Sequence, residues 1–161
     1  MSFRDVVGGI GWLGLTFVAA FIGSRFLPDA WYASLKKPSW NPPNWIFAPV
    51  WTLLYLMMAV AAWQVWRIHG LQGAWGPLGL FVLELVLNCG WTWIFFGRHR
   101  PGAALIDIAA LWVILLSTLI AFWRLEPWAG LLLVPYLAWV TFASALNYSI
   151  YLRNRQANRT V

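Results

Sequence analysis

The chain predicts an all-α integral membrane protein: one bundle of five transmembrane helices, with a long Trp/Pro-rich loop between the first two. Three observations lead there. Of its 161 residues 61% are hydrophobic and only 10% charged, and the mean hydropathy is +0.67. A water-soluble domain carries roughly 25% charged residues, so this chain has too few to cover a wet surface. Five apolar runs recur, each near the ~20 residues an α-helix needs to cross ~30 Å of hydrocarbon. The basic residues lie between and after these runs, where they act as topology signals and meet anionic headgroups.

The runs fall at about 6–27, 45–66, 77–96, 103–123 and 129–152 of a single domain covering 1–161. Backbone amides facing lipid must bond within their own segment, which makes each run helical. The first run has no small-residue cleavage site and leads directly into Arg25 and Pro28, so it reads as a retained span. Thr16, Ala20 and Ser24 recur at every fourth position along it, as do Ala19 and Gly23. Such small residues let a helix pack closely, against a neighbour in the chain or in a homodimer.

Between the first two runs lies a capping segment at 28–44, continuing into WYASLKKPSWNPPNWIFAPVW over 31–51. Pro38, Pro42, Pro43 and Pro49 remove backbone donors and push the preceding residues toward extended conformations, so this stretch is not one helix. Trp31, Trp40, Trp45 and Trp51 make it too aromatic for a solvated linker. A stiff lid at the membrane surface fits, because indoles favour the interface and can wall a flat apolar ligand.

Five spans place the termini on opposite faces. Arg4, Arg67 and Arg124 lie on the N-terminal side; Arg25, Lys36, Lys37, Arg98, Arg100, Arg153, Arg155 and Arg159 lie on the other. The positive-inside rule then puts the C-terminus and the Trp-rich loop in the cytoplasm if the membrane is a bacterial inner one; it gives no orientation in an outer membrane. The net charge of +6 belongs to this pattern and does not indicate nucleic acid.

Few residues carry candidate chemistry. Glu84 and Asp107 are the acids within spans, and an ionisable group there ordinarily faces the bundle interior. Asp107, about one turn into its helix, suits a structural acceptor paired with Arg98 or Arg100. Glu84, Asn88, Trp91 and Phe95 share a helix face. Asn88 there offers a single polar contact to a pocket, or a tie between helices. Pro135, Trp139, Ala143 and Asn147 line a stripe in the last span, and Trp51 and Tyr55 open the second. A tryptophan one turn from a small residue makes a wall with a recess, which suits a planar ligand or ordinary packing.

His69 and His99 lie in connections on opposite faces, which argues against a bis-His haem inside the bundle. The lone Cys89 gives no intrachain disulfide or CxxC metal motif. Neither a nucleophile–base pair nor a Gly-rich phosphate loop is legible. No cofactor is expected, and conventional enzyme chemistry has no support. Leu146, Tyr148 and Arg153 match a loose sterol-contact pattern common at interfacial helix ends.

The lid sequence resembles the signature of the translocator proteins, also called tryptophan-rich sensory proteins or peripheral-type benzodiazepine receptors. NCGWTWIFFG at 88–97, ALIDIAALW at 104–112 and PYLAWVTFASALNY at 135–148 extend the likeness in the same order. The resemblance implies a five-helix bundle, often dimeric, whose cavity is closed by the first loop. It implies binding of porphyrins such as protoporphyrin IX, of isoquinoline and benzodiazepine-type ligands and, in animals, of cholesterol. Carried over by position, the ligand contacts are Tyr32, Pro43, Trp51, Asn88, Trp91, Trp139 and Ala143. In bacterial relatives the tryptophans matching Trp51 and Trp139 are implicated in light- and oxygen-dependent porphyrin breakdown. Two departures weaken the cholesterol expectation: Ala103 stands where animal members often carry tryptophan, and Arg153 is displaced by one position from the animal sterol motif.

Overall fold

The computed structural model describes residues 2–157, so Arg159 of the charge count lies outside the described residues. Its helices are α1 (Phe3–Gly23), α2 (Ala30–Ser34), α3 (Asn44–Thr92), α4 (Pro101–Leu125) and α5 (Pro127–Ala157), with a π-helical turn at Trp93–Gly97. Among the described residues four helices are long and apolar enough to cross a membrane.

One of these four is double. A straight helix of the length of α3 would run about 74 Å, more than twice the hydrocarbon core. Gly70 (φ 67°) and Ala74 (φ −132°) leave helical geometry and break it in the middle. The left-handed φ at Gly70 is one that glycine reaches without strain. The chain then returns along itself: the Tyr55 hydroxyl donates to Asn88 Oδ1 at 2.9 Å, although a straight helix would separate the two by about 50 Å. Five crossings result. Helical backbone extends beyond 66 and begins before 77, and only the turn itself departs.

Local signals account for the ends. Ser2 and Asp5 form a reciprocal capping box at α1. Pro101 occupies the first turn of α4, where its missing donor costs nothing. Pro49 lies inside α3, within the expected second span, and the lid's last extended residue is Pro43, which caps that helix. Near a helix start only one intrahelical bond is lost, which the flanking turns tolerate.

The small-residue stripe of α1 packs within the chain. Thr16 and Ala19 are buried, the Cys89 thiol donates to the Ala19 carbonyl at 3.4 Å, and Gly23 lies against Thr92 and Tyr55. Ser24 stands exposed. Asp107 forms no ion pair with Arg98 or Arg100, contrary to expectation. Its Oδ1 instead lies 3.0 Å from where a Cβ on Gly90 would sit, so the carboxyl fills the space a side chain there would need. The helix crossing, not a surface cation, determines its position.

A lid-covered aromatic chamber

The lid closes one end of the bundle. Its short helix α2 starts at Asp29, whose Oδ1 accepts the Tyr32 N–H at 3.0 Å. That bond is the main reason the exposed Asp29 carboxyl is held below the usual carboxylate range, with a smaller contribution from His99. Tyr32 points down into the bundle and is 2% exposed. Burial pushes its phenol above the ordinary value, and its hydroxyl donates to Asn41 Oδ1 at 2.9 Å. Lys37 Nζ closes the other end of α2 by donating to the carbonyls of Tyr32, Ala33 and Leu35. That ammonium is therefore occupied within the lid, while Lys36 stays exposed.

Beneath Tyr32 lies a narrow chamber with about 20 Å³ of free space, lined by Phe47, Trp91, Phe95, Phe96, Trp139 and Ala143 among others. Its walls lie close together, and in this form the chamber is nearly shut. The aromatic rings lock one another in place. Trp139 meets Trp51 edge-on at 6.4 Å and Phe47 at 5.9 Å, while Trp91 stacks on Phe95 at 5.6 Å. The Trp91 indole N–H donates to Asn147 Oδ1, and Asn147 Nδ2 donates to the Pro101 carbonyl. Helices α3, α4 and α5 are thus pinned at the chamber wall by a single asparagine.

Of the residues expected at the site, Tyr32, Trp91, Trp139 and Ala143 line this chamber. Trp51 stands behind Trp139, also contacting Tyr55 and Tyr136. Asn88 is buried deeper; it accepts from Tyr55 and donates to the Tyr136 hydroxyl at 2.8 Å. The interhelical tie is therefore the role its amide fills. Glu84, one turn away, is fully buried, and neither carboxyl oxygen has a hydrogen-bond partner. Pro43 stands exposed at the start of α3, away from the chamber. In the last span Ala143 and Asn147 face inward but Pro135 is exposed. Leu146 lines the chamber, whereas Tyr148 and Arg153 face outward, so the three residues of the sterol pattern do not share one surface.

Phe47, Phe96, Phe142 and Ile150 line the chamber without having been expected there. Phe142, Leu146 and Ile150 repeat by four beside the Trp139 stripe, a signal that the inward face was wider than one row. Phe96 had no such signal. It reaches the wall because the π-helical turn, closed by the Arg98 N–H on the Trp93 carbonyl at 2.8 Å, advances the register.

Comparison with known proteins agrees with this architecture. The TspO/MBR family model matches residues 12–153. The tryptophan-rich protein TspO of Chlorobaculum tepidum is 45% identical over 88% of this chain and 92% of its own length. The tryptophan-rich sensory protein of Cereibacter sphaeroides is 42% identical over 84% of this chain and 87% of its own. The human translocator protein is 41% identical over 85% of this chain and 84% of its own. With its apolar helices, its lid and these relatives taken together, this integral membrane protein belongs to the TspO/MBR family.

Proposed function

We propose that the protein is a membrane receptor of translocator type that binds porphyrins, protoporphyrin IX among them, and related flat hydrophobic ligands beneath its lid. The carrying observation is the chamber itself, where Tyr32, Trp91 and Trp139 offer aromatic faces beside the recess at Ala143. Small-molecule pockets span roughly 300–1,000 Å³; this recess, at about 20 Å³, lies far below that range, so a four-ring macrocycle enters only when the lid lifts and the aromatic walls part. Lys36, exposed on the lid, would offer its ammonium to the propionates. Relatives named as sensory and translocator proteins support the reading. Binding would regulate tetrapyrrole level or transport, with the lid on the cytoplasmic side of an inner membrane by the positive-inside rule.

A second reading draws on one further observation, the edge-on contact of Trp51 with Trp139 at the chamber wall. Two indoles so placed suit a light- and oxygen-dependent breakdown of bound porphyrin. Quenching of tryptophan fluorescence by protoporphyrin IX, in detergent, tests the first reading; saturable quenching is expected, and its absence would remove the site. Illumination in air, with Trp51→Phe and Trp139→Phe for comparison, tests the second. Bleaching that is equal with and without the two indoles leaves binding alone.

A further inference from the structure

The lid is fastened at two places, and the fasteners differ in chemistry. At one edge Asn154, on α5, clamps the backbone of Lys36: its Oδ1 accepts the Lys36 N–H and its Nδ2 donates to the Lys36 carbonyl, both at 3.1 Å. Nothing in that clamp titrates. At the other edge the Asp29 Oδ2 meets His99 Nε2 at 3.1 Å. The Trp31 indole lies flat on the same imidazole, with ring centroids 4.3 Å apart and planes 16° from parallel. His99 sits in the turn between α3 and α4 with φ 54°, a left-handed conformation uncommon outside glycine though enriched at histidine.

We propose that His99, Asp29 and Trp31 form a proton-operated latch holding the α2 edge of the lid to the α3–α4 turn. One carboxylate does two tasks, since Asp29 caps α2 through one oxygen and holds the imidazole through the other. Tension on the latch is therefore transmitted directly to Trp31 and Tyr32. The pair is accessible to water, with side chains 39% and 47% exposed, so bulk pH reaches it. Protonated imidazole is a charged donor to the carboxylate and a cation on the indole face. Neutral imidazole in its Nε2–H tautomer still donates to the carboxylate, but the ion pair and the cation on the indole face are lost.

Three other cations of this face take different partners. Arg98 stacks over Trp93, Arg25 over Phe21, and Lys37 is bonded into the lid. Arg98 and Arg100 flank His99 in the turn, and Asp29 is the acid that faces it. As pH rises through the window in which imidazole loses its charge, the latch weakens and the lid swings about the Lys36–Asn154 clamp. It does not depend on what the chamber holds, so the reading of the ligand and the reading of the latch stand or fall separately.

Site-resolved amide hydrogen exchange on the ligand-free full chain tests this at about pH 5 and about pH 8, the ends of that window. Rates are corrected for intrinsic exchange. The Tyr32 and Ala33 amides, both bonded to Asp29, report the latch; the Lys36 amide reports the clamp. Protection at Tyr32 and Ala33 should fall roughly three- to ten-fold on going to the higher pH, the scale of an exposed ion pair with a ring contact, while Lys36 changes less. His99→Asn tolerates the left-handed backbone, and Asp29→Asn keeps the helix cap; each should abolish the difference. A pH-independent wild type, or a His99→Asn protein that retains the difference, would overturn the latch.

Discussion

The two ends of the bundle differ in how fully they are filled. Away from the lid, Met58, Ala61, Ala62, Val65, Phe81 and Phe122 have no exposure at all, and Phe81 stacks on Phe122 at 6.0 Å. Helices there approach until glycine is the only residue that fits. A Cβ on Gly130 would lie 2.7 Å from the Trp123 Cα, and one on Gly8 would run into the Trp66 ring. At the lid end, tryptophan and phenylalanine meet one another edge to face and leave a chamber between them. The same residue type thus closes one end against glycine and walls a hollow at the other. Rings also press on glycine at the lid end, Phe26 on Gly97 and Tyr151 on Gly102; what that end adds is an aromatic cluster around a recess. Between the ends the Tyr55–Asn88–Tyr136 chain forms a polar floor.

That contrast is open to direct attack. The largest effect is expected at the tight end. Gly130→Ala pushes a methyl into backbone that cannot retreat, because only Glu126 separates α4 from α5; destabilisation of about 3 kcal/mol is expected, read as a fall in Tm. Asn88→Ala removes the partner of two buried tyrosine hydroxyls and should cost about 2 kcal/mol, with a loosened chamber floor. Ala143→Leu fills the recess; Tm should hold while protoporphyrin IX affinity drops about tenfold, an energy of ~1.4 kcal/mol. The smallest effect is in acid. Because the Asp29 carboxyl is depressed in the folded chain, its contribution is present above the ordinary carboxylate range and disappears as pH falls through its lowered value. Amide protection in α2 should therefore fall again in strong acid, giving the lid a maximum of closure between the carboxylate and imidazole titrations.

Much of this was legible in the sequence, and particular residues show why the rest was not. The spans followed from hydropathy alone, since lipid leaves the backbone no alternative to helix. The inward face of the last span could be read from Trp139, Ala143 and Asn147 because helical periodicity survives in sequence. Asn88 was visible as an inward polar residue, but whether it faces ligand or ties helices depends on Tyr136, a partner 48 positions away. The Asp29–His99 contact joins residues 70 apart and leaves no periodic trace. The π-helical turn was hidden for another reason: the apolar run through Trp93 and Phe96 fits an α-helix equally well, and the added residue per turn has no compositional mark.

On the proposed function, ligand binds at the lid end and not elsewhere in the apolar bundle. The most direct measurement is the protoporphyrin IX affinity of Ala143→Leu beside that of Leu115→Met, a buried substitution outside the chamber lining. Binding beside Ala143 requires about tenfold weakening in the first and wild-type affinity in the second. Equal affinities in both, with both proteins folded, would contradict it.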